Sequence, residues 1–220
     1  MNEDLETRHR LLEAAALLFA RRGFKDVTVR EICRASRANV AAVNYHFHGK
    51  LGLYTAVVAT AVDAIRGTSD MARQAGAGES AEQQLRIYLR VFLERIAANE
   101  RDSWISQLIG REMSEPTPAF DLIIRQAIRP RLKYLGGLVS ELLGCPPSDP
   151  RVVKCIASIQ SQVLFCLNPG VARVFPAFNL TPSTIAELAD HIAEFSLAGI
   201  RAIRSGSSSV RKGRRRRPAS

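Results

Sequence analysis
The sequence predicts an all-α protein, and three observations carry that reading. Apolar residues recur three or four apart along most of the chain, and no stretch alternates convincingly with the period of two that a half-buried strand requires. Three helix starts show a capping residue followed by proline at the first helical position, at Thr117-Pro118, Asp149-Pro150 and Thr181-Pro182, where the missing proline N–H costs nothing. Two capping pairs, Thr28 with Glu31 and Ser80 with Gln83, mark further starts.

Taken in order, residues 1–6 are polar and read as frayed. From about Thr7 to Arg22, Leu11, Ala15 and Leu18 with Leu12 and Phe19 make one face of an amphipathic helix, which Gly23 is placed to end. Phe24 then folds back as a core plug. Two short helices follow within Thr28–Lys50, and a fourth runs from Lys50 to about Arg66 with Leu53, Val57, Val58, Ala61 and Ile65 inward. Residues 67–79, rich in Gly, Ala and polar side chains, read as a domain boundary. Ser80 opens a helix carrying Leu85, Tyr88, Leu89, Phe92 and Ile96, and a shorter one runs from Ser103 to about Met113. The helix begun at Thr117-Pro118 is long, reaching Leu143, but Pro130 must kink or divide it. The helix begun at Asp149-Pro150 ends near Asn168-Pro169, a small piece spans 171–178, and the last covers Ser183 to Arg204. Residues 205–220, SGSSSVRKGRRRRPAS, are low in complexity and read as a disordered basic tail.

The stretch Thr28 to Lys50, TVREICRASRANVAAVNYHFHGK, holds the most specific pattern. Thr28 and Glu31 have capping-box spacing, and Val27 with Ile32 sits where a hydrophobic staple fixes the chain's entry. The first helix therefore starts at Val29, with Ile32 and Ala35 inward and Arg30, Arg34 and Arg37 wet. Asn39 caps a second helix over Val40 to about Phe47. On it Val40, Val43 and Phe47 fall at core spacing, which leaves Ala41, Asn44 and Tyr45 outward. Two short helices across a tight turn, the second with a small outer face, suit the major groove of DNA. The same pattern also occurs in helical proteins that never touch DNA.

The run Asn44-Tyr45-His46-Phe47, followed by His48-Gly49-Lys50 and preceded by Ala38-Asn39-Val40-Ala41-Ala42-Val43, resembles the signature of the TetR/AcrR family of bacterial transcriptional regulators, in its CecR-like branch. The likeness extends upstream through Leu11 to Phe24 and, more weakly, to Arg111-Glu112-Met113 and Glu115-Pro116-Thr117-Pro118. It implies an N-terminal three-helix helix-turn-helix DNA-binding domain with a connecting helix over 1–66, a C-terminal helical bundle for ligand binding and dimerisation over 67–204, and the tail beyond. It also implies that Thr28, Tyr45, His46 and Lys50 contact phosphates while Asn39, Val40, Ala41 and Asn44 face base edges. Asn44 can pair bidentately with adenine, and Lys50 adds charge to a helix N-terminus. One departure stands out: similar proteins usually carry glycine in the turn, and here the residue is Arg37. It either accepts a strained left-handed backbone or remodels the turn, and it can supply a phosphate contact.

Composition narrows the function further. The 220 residues are 46% hydrophobic and 24% charged, enough for one or two packed domains. No apolar segment follows the polar start and none approaches transmembrane length, which predicts a cytoplasmic protein without membrane partners. Cys33, Cys145, Cys155 and Cys166 form no C-x-x-C pair, so they read as small buried hydrophobes rather than a disulfide framework or zinc site. Four isolated histidines without a nucleophile motif argue against an enzyme, and neither metal nor other cofactor is expected. Of the net charge of +10, the tail holds six positive charges and no acid, and residues 1–66 hold ten basic and seven acidic residues. The surplus sits on the reader and the tail, where it attracts phosphate backbones.

Two tasks fall to the C-terminal helices. The resemblance implies a homodimer built on the final two helices, for which Ile156, Ile159 and Val163 with Ile192, Phe195, Gly199 and Ile203 can supply the seam. A two-fold pair reading a palindromic operator also extends the few bases that one short helix covers. For a small-molecule inducer, the bulky or polar candidates are Tyr88, Phe92, Trp104, Gln107, Met113, Phe120 and Phe165, although large apolar residues also serve plain packing. Their aromatic content suits an apolar or aromatic compound. The resemblance further implies repression of transport or efflux genes, relieved by ligand. The competing reading keeps the fold but binds nucleic acid loosely, without sequence preference, through the arginine tail.

Overall fold
The computed structural model describes residues 2–98, 104–167, 169–175 and 181–214, and among them every regular element is a helix. The helices are α1 (Asn2–Asp26), α2 (Val29–Ser36), α3 (Val40–Phe47), α4 (Lys50–Ala75), α5 (Ala81–Ala98), α6 (Trp104–Ser114), α7 (Phe120–Ile123), α8 (Arg129–Leu143), α9 (Pro150–Leu167), α10 (Pro169–Val174) and α11 (Pro182–Arg214), with a π-helical stretch, Ile124–Ile128, between α7 and α8. The expected helix start at Ser103, Asn168, the end of the small piece at 178 and the last six tail residues lie outside the described residues.

The chain divides into two compact units, Met1–Gly67 with Asn99–Arg129, and Thr68–Ala98 with Pro130–Ser220. In the first, Leu11, Ala15 and Phe19 of α1 meet Ile32 of α2, Val43 and Phe47 of α3, and Leu53, Val57 and Ala61 of α4, all buried in one core. Leu108 of α6 and Ile123 of α7 belong to the same core. The segment 104–129, expected from sequence to join the C-terminal bundle, therefore packs with the reader. Arg111 secures it: its Nε donates to the Ala20 carbonyl at 2.8 Å and another guanidinium nitrogen to that of Arg21. These are carbonyls in the last turn before Gly23, whose φ of 83° ends the regular part of α1. The second unit is built on Leu85, Leu89 and Leu93 of α5, Leu135 and Val139 of α8, Ile159 and Val163 of α9, and Ile192, Ala193 and Leu197 of α11.

Several starts follow local chemistry. Asp149 Oδ1 accepts from the Arg151 N–H at 2.9 Å, Thr181 Oγ1 from the Thr184 N–H at 3.3 Å, and Ser80 Oγ from the Gln83 N–H at 3.3 Å. Other expectations need correction. Residues 2–6 are helical rather than frayed, with Glu3 and Asp4 in the first turn, where the helix dipole favours acids. At Thr117-Pro118 the chain makes a turn before α7 begins at Phe120. The helical segment that carries Pro130 is interrupted as expected, the π-helical stretch Ile124–Ile128 separating α7 from α8, with Pro130 in the first turn of α8. α4 continues past Arg66 to Ala75, and α11 past Arg204 to Arg214. No helix among the described residues is long and apolar enough to cross a membrane.

Candidate nucleic-acid interface
The reader is assembled from two capped helices and two left-handed turns. Thr28 Oγ1 accepts from the Glu31 N–H at 3.3 Å, and Glu31 Oε2 accepts from the Thr28 N–H at 2.8 Å, so the capping box closes in both directions. Arg22 reinforces it with a 2.6 Å ion pair to Glu31, which together with the Thr28 N–H holds the Glu31 carboxyl at about 2. On α2, Ile32, Cys33 and Ser36 are buried and Ala35 is exposed, which corrects the inward placement of Ala35. Helical geometry places Ser36, four residues after Ile32, on the buried face, and its hydroxyl is satisfied by the Ile32 carbonyl at 2.8 Å.

Arg37 closes α2 at φ 53°, ψ 40° and donates its N–H to the Arg34 and Cys33 carbonyls. The backbone thus keeps the left-handed turn that glycine would favour, and the arginine accepts a strain of roughly 1–2 kcal/mol. Its exposed side chain stands at the lip of the turn. Asn39 Oδ1 then accepts from the Ala42 N–H at 2.8 Å and starts α3. A second left-handed residue, His48 at φ 58°, ends α3, and Gly49 follows at φ 105°.

α3 presents one coherent outer face. Asn39, Val40, Ala41, Asn44 and Tyr45 are exposed, Tyr45 by 73%, whereas Val43 and Phe47 are buried. Val40, which its spacing also allowed as a core anchor, lies on the outer face. What sets α3 against α4 is Gly52: a Cβ there would come within 1.7 Å of the Phe47 carbonyl oxygen. Sequence reasoning passed over this glycine, although a glycine in the first turn of an otherwise strong helix is a recognisable sign of close backbone approach.

Two expected phosphate contacts are engaged within the protein. The His46 side chain is 8% exposed, and its Nε2 lies 3.4 Å from Asp4 of α1. Lys50 Nζ lies 4.5 Å from the centre of the Phe24 ring and 3.4 Å from the Lys25 carbonyl. Phe24 in turn packs 6.1 Å from Phe19 and 4.9 Å from Tyr54, the plug expected of it. Behind the reader, the Tyr54 hydroxyl donates to the buried Glu112 at 2.5 Å, and Glu112 also accepts from the Thr117 N–H at 3.2 Å. Tyr54 and Glu112, with Gln107 and Arg111, line a cleft of about 590 Å³ in the first unit.

The seven ligand candidates are not brought together. Trp104 and Phe120 pack on the core of the first unit, Gln107 faces its cleft, and Met113 is exposed. Tyr88 and Phe92 stack in the second unit with ring centres 5.8 Å apart, while Phe165 is exposed beside Phe175. Of the seam candidates, Ile159, Val163 and Ile192 are buried within the chain's own core. Ile156 is half-buried, and Phe195, Gly199 and Ile203 face outward.

An exposed, small-faced helix held across a capped turn is the geometry of a helix-turn-helix. A profile described as bacterial regulatory proteins, tetR family, matches residues 11–57. Another, described as the C-terminal domain of the HTH-type transcriptional dual regulator CecR, matches residues 81–200, more than half of the chain. The chain belongs to the TetR family of DNA-binding transcriptional regulators, with a C-terminal domain of the CecR type. It is 27% identical to the dual regulator CecR of Shigella flexneri over 167 residues, 72% of this chain and 74% of that protein. It is 40% identical to the regulator SrpR of Pseudomonas putida over 55 residues, 25% of this chain and 26% of SrpR. A TetR-family regulator from Streptomyces coelicolor shares the fold, with a TM-score of 0.65 and 20% identity over 89% of this chain and 96% of that one.

Proposed function
We propose that the chain is a homodimeric, ligand-responsive repressor of transport or efflux genes, released by a small, largely apolar ligand. The observation that carries the reading is the outer face of α3, where Asn39, Val40, Ala41 and Asn44 are exposed together and free of bulk. Asn44 is the base reader with most freedom, because the Asn39 side-chain oxygen Oδ1 is already committed to the cap. Thr28, Arg37, Tyr45, His46 and Lys50 surround this face as phosphate contacts. His46 and Lys50 join them by leaving Asp4 and the Phe24 ring. Support for the dimer comes from α11, where Phe195, 65% exposed, falls with Gly199 and Ile203 on one stripe of spacing four. Beside it α9 exposes Val153, Leu164 and Phe165. Exposed apolar side chains in such a stripe suit an interface, and a two-fold pair can read two half-sites.

The CecR relative's description as a dual regulator bears on the direction of the output, so the test reads direction. Deleting the gene raises transcription from the promoter bearing its binding site if the chain represses; a fall in that transcript reveals an activator.

A further inference from the structure
Within the second unit, one buried polar pair joins α5 to α9 beside a cluster of aromatic rings. Tyr88 of α5 is fully buried, and its hydroxyl accepts from Gln160 of α9 at 3.2 Å. Its ring lies 5.8 Å from Phe92, nearly parallel, and 6.1 Å from Tyr134 of α8. Against this cluster stands the guanidinium of Arg131, 5.0 Å from the centre of the Phe92 ring. Arg131 is half-buried, its Nε is shut off from solvent, and that nitrogen has no hydrogen-bond acceptor. No acid among the described residues forms an ion pair with it. The contact with Phe92 gives the guanidinium a ring face but no hydrogen-bond acceptor. An unsatisfied buried donor of this kind costs roughly 1–3 kcal/mol.

We infer that Arg131 anchors the acidic end of the chain's small-molecule ligand, an organic carboxylate with an aromatic or aliphatic body. The planar fork of arginine matches a carboxylate through two parallel N–H···O bonds. The Tyr88 hydroxyl accepts from Gln160 and has its own proton left to donate to the same anion. Phe92 and Tyr134 provide ring surface for the body. This rests on the ligand-responsive reading above and refines it, because an apolar body is retained and a single negative charge is added.

The test uses the full chain, titrated by calorimetry with benzoate, 2-naphthoate and decanoate and with the corresponding uncharged amides. At least one carboxylate is expected to bind at least about tenfold more tightly than its amide, as a fork–carboxylate pair warrants. Arg131→Met is expected to abolish that preference while melting, free of ligand, no lower than the parent. Arg131→Lys keeps the charge without the fork and is expected to lose most of it, which covers the case of a methionine variant that does not fold. Failure of every carboxylate to bind at millimolar concentration overturns the assignment, as does a preference that survives in both variants. Release of operator DNA is read separately. Carboxylate binding that leaves DNA bound removes the ligand response and keeps the anchor, whereas release by a neutral compound regardless of Arg131 does the reverse.

Discussion
At the scale of single residues, the reader is governed by which side chains are already engaged. Glu31 is held at about 2, below the usual 4.5, first by Arg22 and then by the Thr28 N–H and hydroxyl. Because the folded value is the lower one, the stability this provides is complete above about pH 4.5 and is lost as pH falls toward 2. Thermal melts of Glu31→Gln are therefore expected to start lower at neutral pH and to lose less across that acid range than the parent. The roles proposed for Asn44 and Lys50 separate base reading from phosphate contact. Asn44→Ala is expected to cost about 1–3 kcal/mol on the operator and little on random duplex, whereas Lys50→Ala weakens both alike and lowers the salt slope by about one. Lys50→Ala that lowers the melting temperature but leaves the salt slope intact shows that its ammonium stays on Phe24 in the complex.

At the scale of elements, the contrast between what sequence revealed and what it hid follows from distance along the chain. The capping pairs Thr28 with Glu31, Ser80 with Gln83, Asp149-Pro150 and Thr181-Pro182 act within four residues, so pattern alone placed the starts of α2, α5, α9 and α11. The outer face of α3 was legible for the same reason. The placement of α6 and α7 was not, because helical periodicity shows that a face is buried without showing in which core. That decision rests on contacts such as Tyr54 with Glu112, and Arg111 with Ala20 and Arg21, which join residues 58 to 91 apart. The ligand candidates failed to converge for that reason too. Gly52 is the residue on which the seating of α3 depends: Gly52→Ala must move the α4 start off the Phe47 carbonyl. It is expected to destabilise the chain by 1–3 kcal/mol or so, the typical cost of overpacking, and to reduce operator affinity by more than random-duplex affinity. Denaturant melts and parallel binding isotherms check both effects.

At the scale of the whole molecule, a reader whose surplus charge is modest shares the chain with a strongly basic C-terminal segment. The net charge of +10 leaves only +4 once residues 205–220 are set aside. Non-specific attraction is therefore expected to weaken without that segment, while the sequence preference proposed for α3 is not. The proposed dimer adds a second demand. Phe195→Asp places a charge in the α11 stripe and is expected to halve the mass seen in sedimentation and to reduce operator affinity by at least about tenfold, since each half-site then binds alone. The most direct test of the central claim compares the chain lacking residues 205–220 on DNA from its own upstream region and on random duplex at near-physiological salt, followed by selection from a random pool. A large preference for one palindromic motif, undiminished by the truncation, is expected. Equal, weak binding to every duplex, with no motif returned by the selection, would contradict it and leave the arginine segment as the source of nucleic-acid affinity.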